Sequence, residues 1–300
     1  MCIVIGKYFP KHGWIAIKNR DRNYIPEISF KKKITDGLEI LYFWDDITQY
    51  CEGFNSAGVG ILSASLMVLD DEKEIEKRSK VPSKDGSKIK AALKEPNVKL
   101  AAARLIKSKL TGNTLVFDKD HMILIEGAWE KGGYAEEKYM YKANYIDKNK
   151  IVVRTNHGIW LPEAGYQRKK DDEAQTMSRV SSESRRLIAQ TVAESAETPE
   201  EILDGITKDF THDGQLNALR TTTEKKKMRT TSQILIIPKE KTMYVRPVQS
   251  HMEFNFWELN NPKQQTWVEI LSNRVLYANM KNNTEDDEPP FLNNLNHNSK

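Results

Sequence analysis

The chain has 300 residues, 39% hydrophobic and 29% charged, with a formal charge of +4, enough length to bury a large core in one big domain or two small ones. That charge is small for a duplex nucleic-acid binder. The basic clusters FKKK, QRKK and EKKKMR lack interleaved aromatics and are offset by acidic runs such as LDDEKEIEK and KKDDE, so they read as solvated faces and no nucleic-acid partner is expected.

No apolar run reaches the ~18 residues of a membrane span, so no membrane partner is expected. CIVI, followed at once by Lys7, is too short for the apolar region of a signal peptide. The two cysteines, Cys2 and Cys51, supply neither a disulfide framework nor a zinc site. A reducing, cytoplasmic setting is expected, with no metal and no cofactor.

In chain order, CIVIG and GWIAIK are short runs rich in β-branched and aromatic residues, separated by a Pro/His/Gly turn, and they predict two strands. LEILYFW predicts another, and GFNSAGVGILSAS places small residues around a strand, a mark of close backbone approach. A charged insert follows at about 69–88. The period then changes. In PNVKLAAARLIKSKL, Val98, Ala102, Ile106 and Leu110 recur every fourth residue with Leu105 beside them, which predicts a helix beginning near Pro96. TLVFD and MILIEG flank KDH as a hairpin, and IVVRTNHGIW reads as a strand running into a loop.

From Glu173 to Glu197 the pattern is helical, with Met177, Val180, Leu187, Ile188 and Val192 as its main apolar positions. Thr198 caps the next helix, with Pro199 at its first position and Glu201 completing a capping box. TSQILIIP and TMYVRP make a hairpin across KEK. Residues 281–300 read as a disordered tail after a single domain over 1–280. Strands and helices come in runs without regular βα alternation, which is the α+β class.

Cys2 directly after the initiator methionine carries the chemical question. Once Met1 is removed, a thiol near pKa ~8.5 sits beside an α-amine near ~7.7–8.0, and the two can exchange a proton at neutral pH. The amine then serves as the adjacent base. Such a site needs an acid to hold the amine, a cation to favour the thiolate and donors for the oxyanion. Asp21 is a candidate anchor, Arg20 or Arg229 a candidate cation, and Asn156 a candidate donor.

The opening MCIVIGKYFPKHGWIAIKNRDRNY resembles the N-terminal nucleophile hydrolases of the choloylglycine hydrolase and penicillin V acylase type, and their isopenicillin-N acyltransferase-like relatives. NRDR also looks like the NRDE signature of the transport-and-Golgi-organisation family. Further along, GFNSAGVGILSAS, VRTNHG, SSESRRLIAQTV with TPEEILDGI, and MRTTSQILIIPKEKTMYVRP resemble family segments in order through about residue 247.

The resemblance implies a four-layer αββα sandwich and cleavage of a linear amide in a small molecule or peptide through an acyl-thioester, with homo-oligomerisation left open. It implies Cys2 as nucleophile and base, Asp21 as amine anchor, Asn156 as oxyanion donor, and Arg229 as a polarising charge. Lys18, Asn19, Arg20, Ser65 and His157 would support the site or touch substrate. Lys18 stands where the choloylglycine enzymes carry Arg, with Arg20 as a possible substitute. Ser65 stands near their second oxyanion Asn, where a backbone N–H could serve instead. Cys51 reads as a structural thiol, and Glu126 resembles a family acidic position of undefined role. The alternative is a non-catalytic, NRDE-like ligand-binding protein that keeps the fold.

Overall fold

A computed structural model describes residues 2–24, 26, 28–66, 85–129, 138–161, 173–222, 228–248, 268–271 and 274–275. The expected tail at 281–300, the insert up to residue 84 and the QRKK cluster lie outside the described residues.

Two antiparallel seven-stranded sheets stack face to face. The first has the order β10 (Val152–Arg154), β1 (Cys2–Phe9), β2 (Gly13–Arg22), β11 (Arg229–Ile237), β12 (Thr242–Pro247), β13 (Val268–Leu271) and β14 (Arg274–Val275). The second runs in sequence order: β3 (Ile28–Thr35), β4 (Leu38–Asp45), β5 (Tyr50–Asn55), β6 (Gly60–Ala64), β7 (Gly112–Phe117), β8 (Met122–Trp129) and β9 (Tyr139–Tyr145). Helices α1 (Asp85–Ala92) and α2 (Val98–Lys107) cover the outside of the second sheet. Helices α3 (Glu173–Ser195) and α4 (Pro199–Gly205) cover the outside of the first. The layers are therefore αββα, the α+β sandwich expected.

The period of two along each strand creates the layers. In β1 and β2, Cys2, Val4, Trp14 and Ala16 face the second sheet, while Ile3, Ile5, Ile15 and Ile17 face α3 and α4. Both faces of the first sheet are buried, so CIVIG and GWIAIK read as continuous apolar runs rather than alternating ones. Gly13 turns the chain between them at φ +73°, with the Lys119 carbonyl so close that a Cβ would lie 2.3 Å from it.

The structure corrects several local expectations. GFNSAGVGILSAS holds two strands and the turn between them, not one strand. Helix α2 is capped by Asn97, whose side chain accepts from the Leu100 amide at 2.9 Å, so Pro96 precedes the cap. Asp85–Lys88 begin a helix that the charged insert concealed. Strands β3 and β9 went unread. In α3 the expected apolar positions Val180 and Leu187 are exposed, Met177 lies outside the described side chains, and among the described ones the inward face holds Ser181, Ser182 and Arg185 before Ala189, Val192 and Ala193. That helix delivers polar groups to one end of the first sheet. Around α4, Thr198 accepts from the Glu201 amide at 3.2 Å, while the Glu201 carboxylate takes the amide of Glu197 at 2.6 Å.

Candidate functional site

The sequence KNRDR lies within β2, so its residues alternate between faces. Lys18, Arg20 and Arg22 point into the space between the sheets, while Asn19 and Asp21 point out toward α3. Cys2 pairs with Arg20 across β1 and β2, so its side chain shares the inner face. The strands are antiparallel, so the Cys2 nitrogen lies on the Asp21 side of that pair.

Three cations thus line the inner face, and two carboxylates of the second sheet meet them. Lys18 forms an ion pair with Glu52 of β5, both side chains fully buried, and donates to the Ser63 carbonyl at 2.6 Å. Arg20 donates to Asp45 of β4 at 2.5 Å and lies over the Phe43 ring. Arg22 reaches the thiol itself, with Nη1 at 3.6 Å from Cys2 Sγ. Its Nε donates to the Tyr24 hydroxyl at 2.9 Å and its Nη1 to the Asp21 carbonyl at 2.7 Å. The Tyr24 hydroxyl in turn donates to Asp45 at 2.6 Å.

Positive charge wins at this end of the cleft. Burial on its own would raise the Cys2 thiol, but Lys18, the chain's terminal amine and Arg22 outweigh it and bring the pKa down to about 6. Burial also brings Lys18 down to about 7, against the opposing pull of Cys2. Burial would raise Asp45 as well, yet Arg20 and the Tyr24 hydroxyl hold it at about 2. At Cys51 burial outweighs Lys90 and Lys18 and pushes the thiol up to about 12.

Asn156 closes the site from the loop after β10. Its Oδ1 accepts from the Cys2 main-chain nitrogen at 2.7 Å, and its Nδ2 donates to the Ser65 carbonyl at 2.6 Å. It therefore ties the start of β1 to the chain just past the end of β6, across the gap between the sheets. Nδ2 carries two hydrogens, and Ser65 takes one of them.

The loop is held on both sides. The Asn113 side chain donates to the carbonyls of Thr155 and His157 at 2.9 and 3.3 Å. The Glu126 carboxylate accepts the main-chain N–H groups of Ile159, Trp160 and Leu161, at 2.7 to 3.1 Å. Glu126, of undefined role in the sequence, is thus the clamp of the loop that carries Asn156.

The other expected site residues have the following contacts. The Asp21 carboxylate is engaged by Arg185 of α3 and by the Thr230 hydroxyl at 2.8 Å. The bond to the Cys2 nitrogen comes from Asn156. Arg20, expected as a cation beside the thiol, is drawn to Asp45, and Arg22 makes that contact. Arg229 pairs with Arg22 across β2 and β11 and is 2% exposed. Asn19 bonds the Ala218 carbonyl and the Gln233 side chain on the helix-facing side. The Ser65 side chain is exposed, and its carbonyl is the group that meets Asn156. His157 Nδ1 lies 2.9 Å from the Ser182 hydroxyl and 3.1 Å from that of Thr155. Burial there lowers its pKa to about 4 despite Glu183, with Arg186 adding to the effect, so the ring is neutral.

Arg22 and Glu52 are absent from the expected site. Strand alternation in KNRDR could have placed Arg22 on the face of Cys2; nothing local marks Glu52. Among the described residues, no group of three His, Cys, Asp or Glu side chains could hold a metal ion, and no helix is long and apolar enough to cross a membrane.

No protein-family model and no curated protein sequence matches the chain. Solved structures do match its fold. A single-site mutant of the conjugated bile acid hydrolase from Clostridium perfringens aligns with TM-score 0.51 and 12% identity, over 96% of this chain and 100% of that one. Penicillin V acylase from Agrobacterium tumefaciens aligns with TM-score 0.48 and 11% identity, over 93% and 94%. A Caenorhabditis elegans ortholog of N-acylethanolamine-hydrolyzing acid amidase aligns with TM-score 0.48 and 11% identity, over 79% and 93%.

Proposed function

We propose that the chain is an amidohydrolase or acyltransferase whose nucleophile is Cys2 as the N-terminal residue, acting on a linear N-acyl bond. The observation that carries this reading is a thiol at the start of β1 with Arg22 Nη1 3.6 Å from its sulfur and its own main-chain nitrogen bound by Asn156 Oδ1 at 2.7 Å, a setting that lowers the thiol pKa. A buried cysteine kept only for packing behaves as Cys51 does.

Removal of Met1 turns the Cys2 nitrogen into an α-amine still facing Asn156 Oδ1, with Asp21 on the same side of the pair. The thiolate attacks the substrate carbonyl, and the proton that it gave up resides on the amine. The second hydrogen of Asn156 Nδ2 stabilises the oxyanion. Arg229, opposite Arg22, adds to the positive field. Collapse breaks the C–N bond, the leaving amine takes the proton from the α-ammonium, and a thioester remains on Cys2. Water or an acceptor amine then attacks the thioester, giving acid or a new amide.

The test combines intact mass with amine release. The purified protein is expected one methionine lighter than its encoded mass, and to release amine from a panel of N-acyl substrates that includes a conjugated bile acid, a penicillin and a fatty-acyl amide. Cys2→Ala abolishes release. Asn156→Ala folds and loses about 10²–10³-fold in turnover, the usual loss for one oxyanion donor. Asp21→Asn lowers turnover strongly at neutral pH. Full retention of Met1 in an active preparation overturns the mechanism. Ligand binding without release in a protein that keeps Met1 points instead to a non-catalytic binding protein.

A further inference from the structure

The inner face of β2 carries Lys18, Arg20 and Arg22 side by side, yet only one of the three has a donor on the sulfur. Lys18 is held by Glu52 and the Ser63 carbonyl. Arg20 is held by Asp45 and the Phe43 ring. Arg22 directs Nη1 at Cys2 Sγ while Tyr24 and the Asp21 carbonyl brace it. At 14% side-chain exposure it also lies nearest to solvent of the three.

We propose that Arg22 is a catalytic residue of this site: its guanidinium, aimed by Tyr24, holds Cys2 as the thiolate and remains in place as the sulfur forms and releases the thioester. This rests on the reading of Cys2 as the nucleophile.

Lys18, the terminal amine and Arg22 all place positive charge near the sulfur, and Arg22 is the permanent one of the three, since an α-amine gives up its proton near ~7.7–8.0. Lys18 is also cationic, but burial brings it down to about 7, so its charge fades as pH rises through neutrality. Arg22 stays charged: Cys2, Tyr24 and Asp45 more than offset its burial. The acids around the thiol are themselves engaged: Asp45 by Arg20, by the Tyr24 hydroxyl and, at 3.6 Å, by Arg22 Nε, Glu52 by Lys18, and Asp21 by Arg185 on the far face. Tyr50 of β5 is held neutral by burial. A permanent cation 3.6 Å from the sulfur is therefore the charge that keeps the thiolate above pH 7.

The deciding experiment is a thiolate ultraviolet titration of the full chain without substrate. It is read from about pH 4 to about 9, below ordinary tyrosine ionisation. Cys51 is silent in that window, so the signal is that of Cys2. Arg22→Gln is expected to raise the Cys2 midpoint by ~1–2 units, the loss of a close opposite charge. Arg22→Lys restores most of the shift. Tyr24→Phe gives a smaller rise with the charge intact, because the guanidinium is no longer aimed. A folded Arg22→Gln protein that titrates like the parent overturns the proposal. Should that variant fail to fold, an unshifted midpoint in Tyr24→Phe overturns it instead. No arm of the test uses a substrate. Shifted midpoints in a protein that cleaves none of the panel leave Arg22 in place and sink the amide reading. Amide release that depends on Cys2, with an unshifted Arg22→Gln midpoint, does the reverse.

Discussion

The two cysteines are the same chemical group in opposite settings. Cys2 is brought to about 6 by Lys18, the terminal amine and Arg22 against its burial, while Cys51 is pushed up to about 12 by burial and donates its thiol to the Gly86 carbonyl at 3.0 Å. At pH 7 most Cys2 is thiolate and roughly one Cys51 in 10⁵ is, by the pKa gap. Iodoacetamide at pH 7 should therefore label Cys2 and leave Cys51 untouched, as peptide-resolved mass spectrometry will read. Comparable labelling of both would show that the cations do not act on the thiol. His157 makes a second prediction. Its pKa is lowered in the fold to about 4 from 6.5, so between those values the unfolded chain binds the extra proton. Stability is full above about 6.5 and falls as pH drops toward 4, by up to about 3 kcal/mol. The melting temperature should decline over that range, and His157→Gln should flatten the decline.

At the scale of elements, the Asn156 loop depends on a carboxylate from a different sheet. Hydrogen bonds to a charged acceptor contribute about 1.5–3 kcal/mol each. Glu126→Gln should free the Ile159, Trp160 and Leu161 amides to exchange tenfold to a hundredfold faster, with the sheets still protected. Unchanged exchange at those three positions would remove Glu126 from its clamping role. Although both faces of β1 and β2 are apolar, which hides their sidedness, the strands themselves were legible in the sequence, because β-branched and aromatic runs such as CIVIG and GWIAIK are local. Partners were not. The neighbour of β1 on one side is β10, about 150 residues away, and Glu126 meets its amides 33 to 35 positions later. Edge strands hid for a different reason. β3 reads ISFKKKIT, with lysines that guard an unpaired edge rather than an apolar face, and β9 carries exposed tyrosines. In the site, Cys2 was marked by its place directly after Met1, and Asp21 and Asn156 were given their roles by resemblance to a family. Arg22 could have come from counting by twos in KNRDR. The long α3 was legible as a helix, but its polar inward face broke the apolar stripe that would have oriented it.

At the scale of the whole molecule, the packing between the sheets is tight enough to resist change in either direction. The buried Phe117 ring lies over Gly60, where an added Cβ would stand 2.7 Å from Cζ. Phe117→Ala should cost about 3–5 kcal/mol by leaving a cavity, and Gly60→Ala about 1–3 kcal/mol by overfilling the same place. Both should lower the urea midpoint, although one removes volume and the other adds it. A neutral Gly60→Ala would mean that the ring has room to move.

The pairing of β1 also fixes an order of events in time. Cys2 is 4% exposed, hydrogen-bonded to Asn156 and paired with Arg20, so a peptidase that trims residue 1 must act before this end of the strand is enclosed. The residues that enclose it, Val152–Arg154 and Asn156, leave the ribosome some 150 positions later, roughly 8–30 seconds at ordinary rates of synthesis. That delay is the period in which the proposed nucleophile is made or missed.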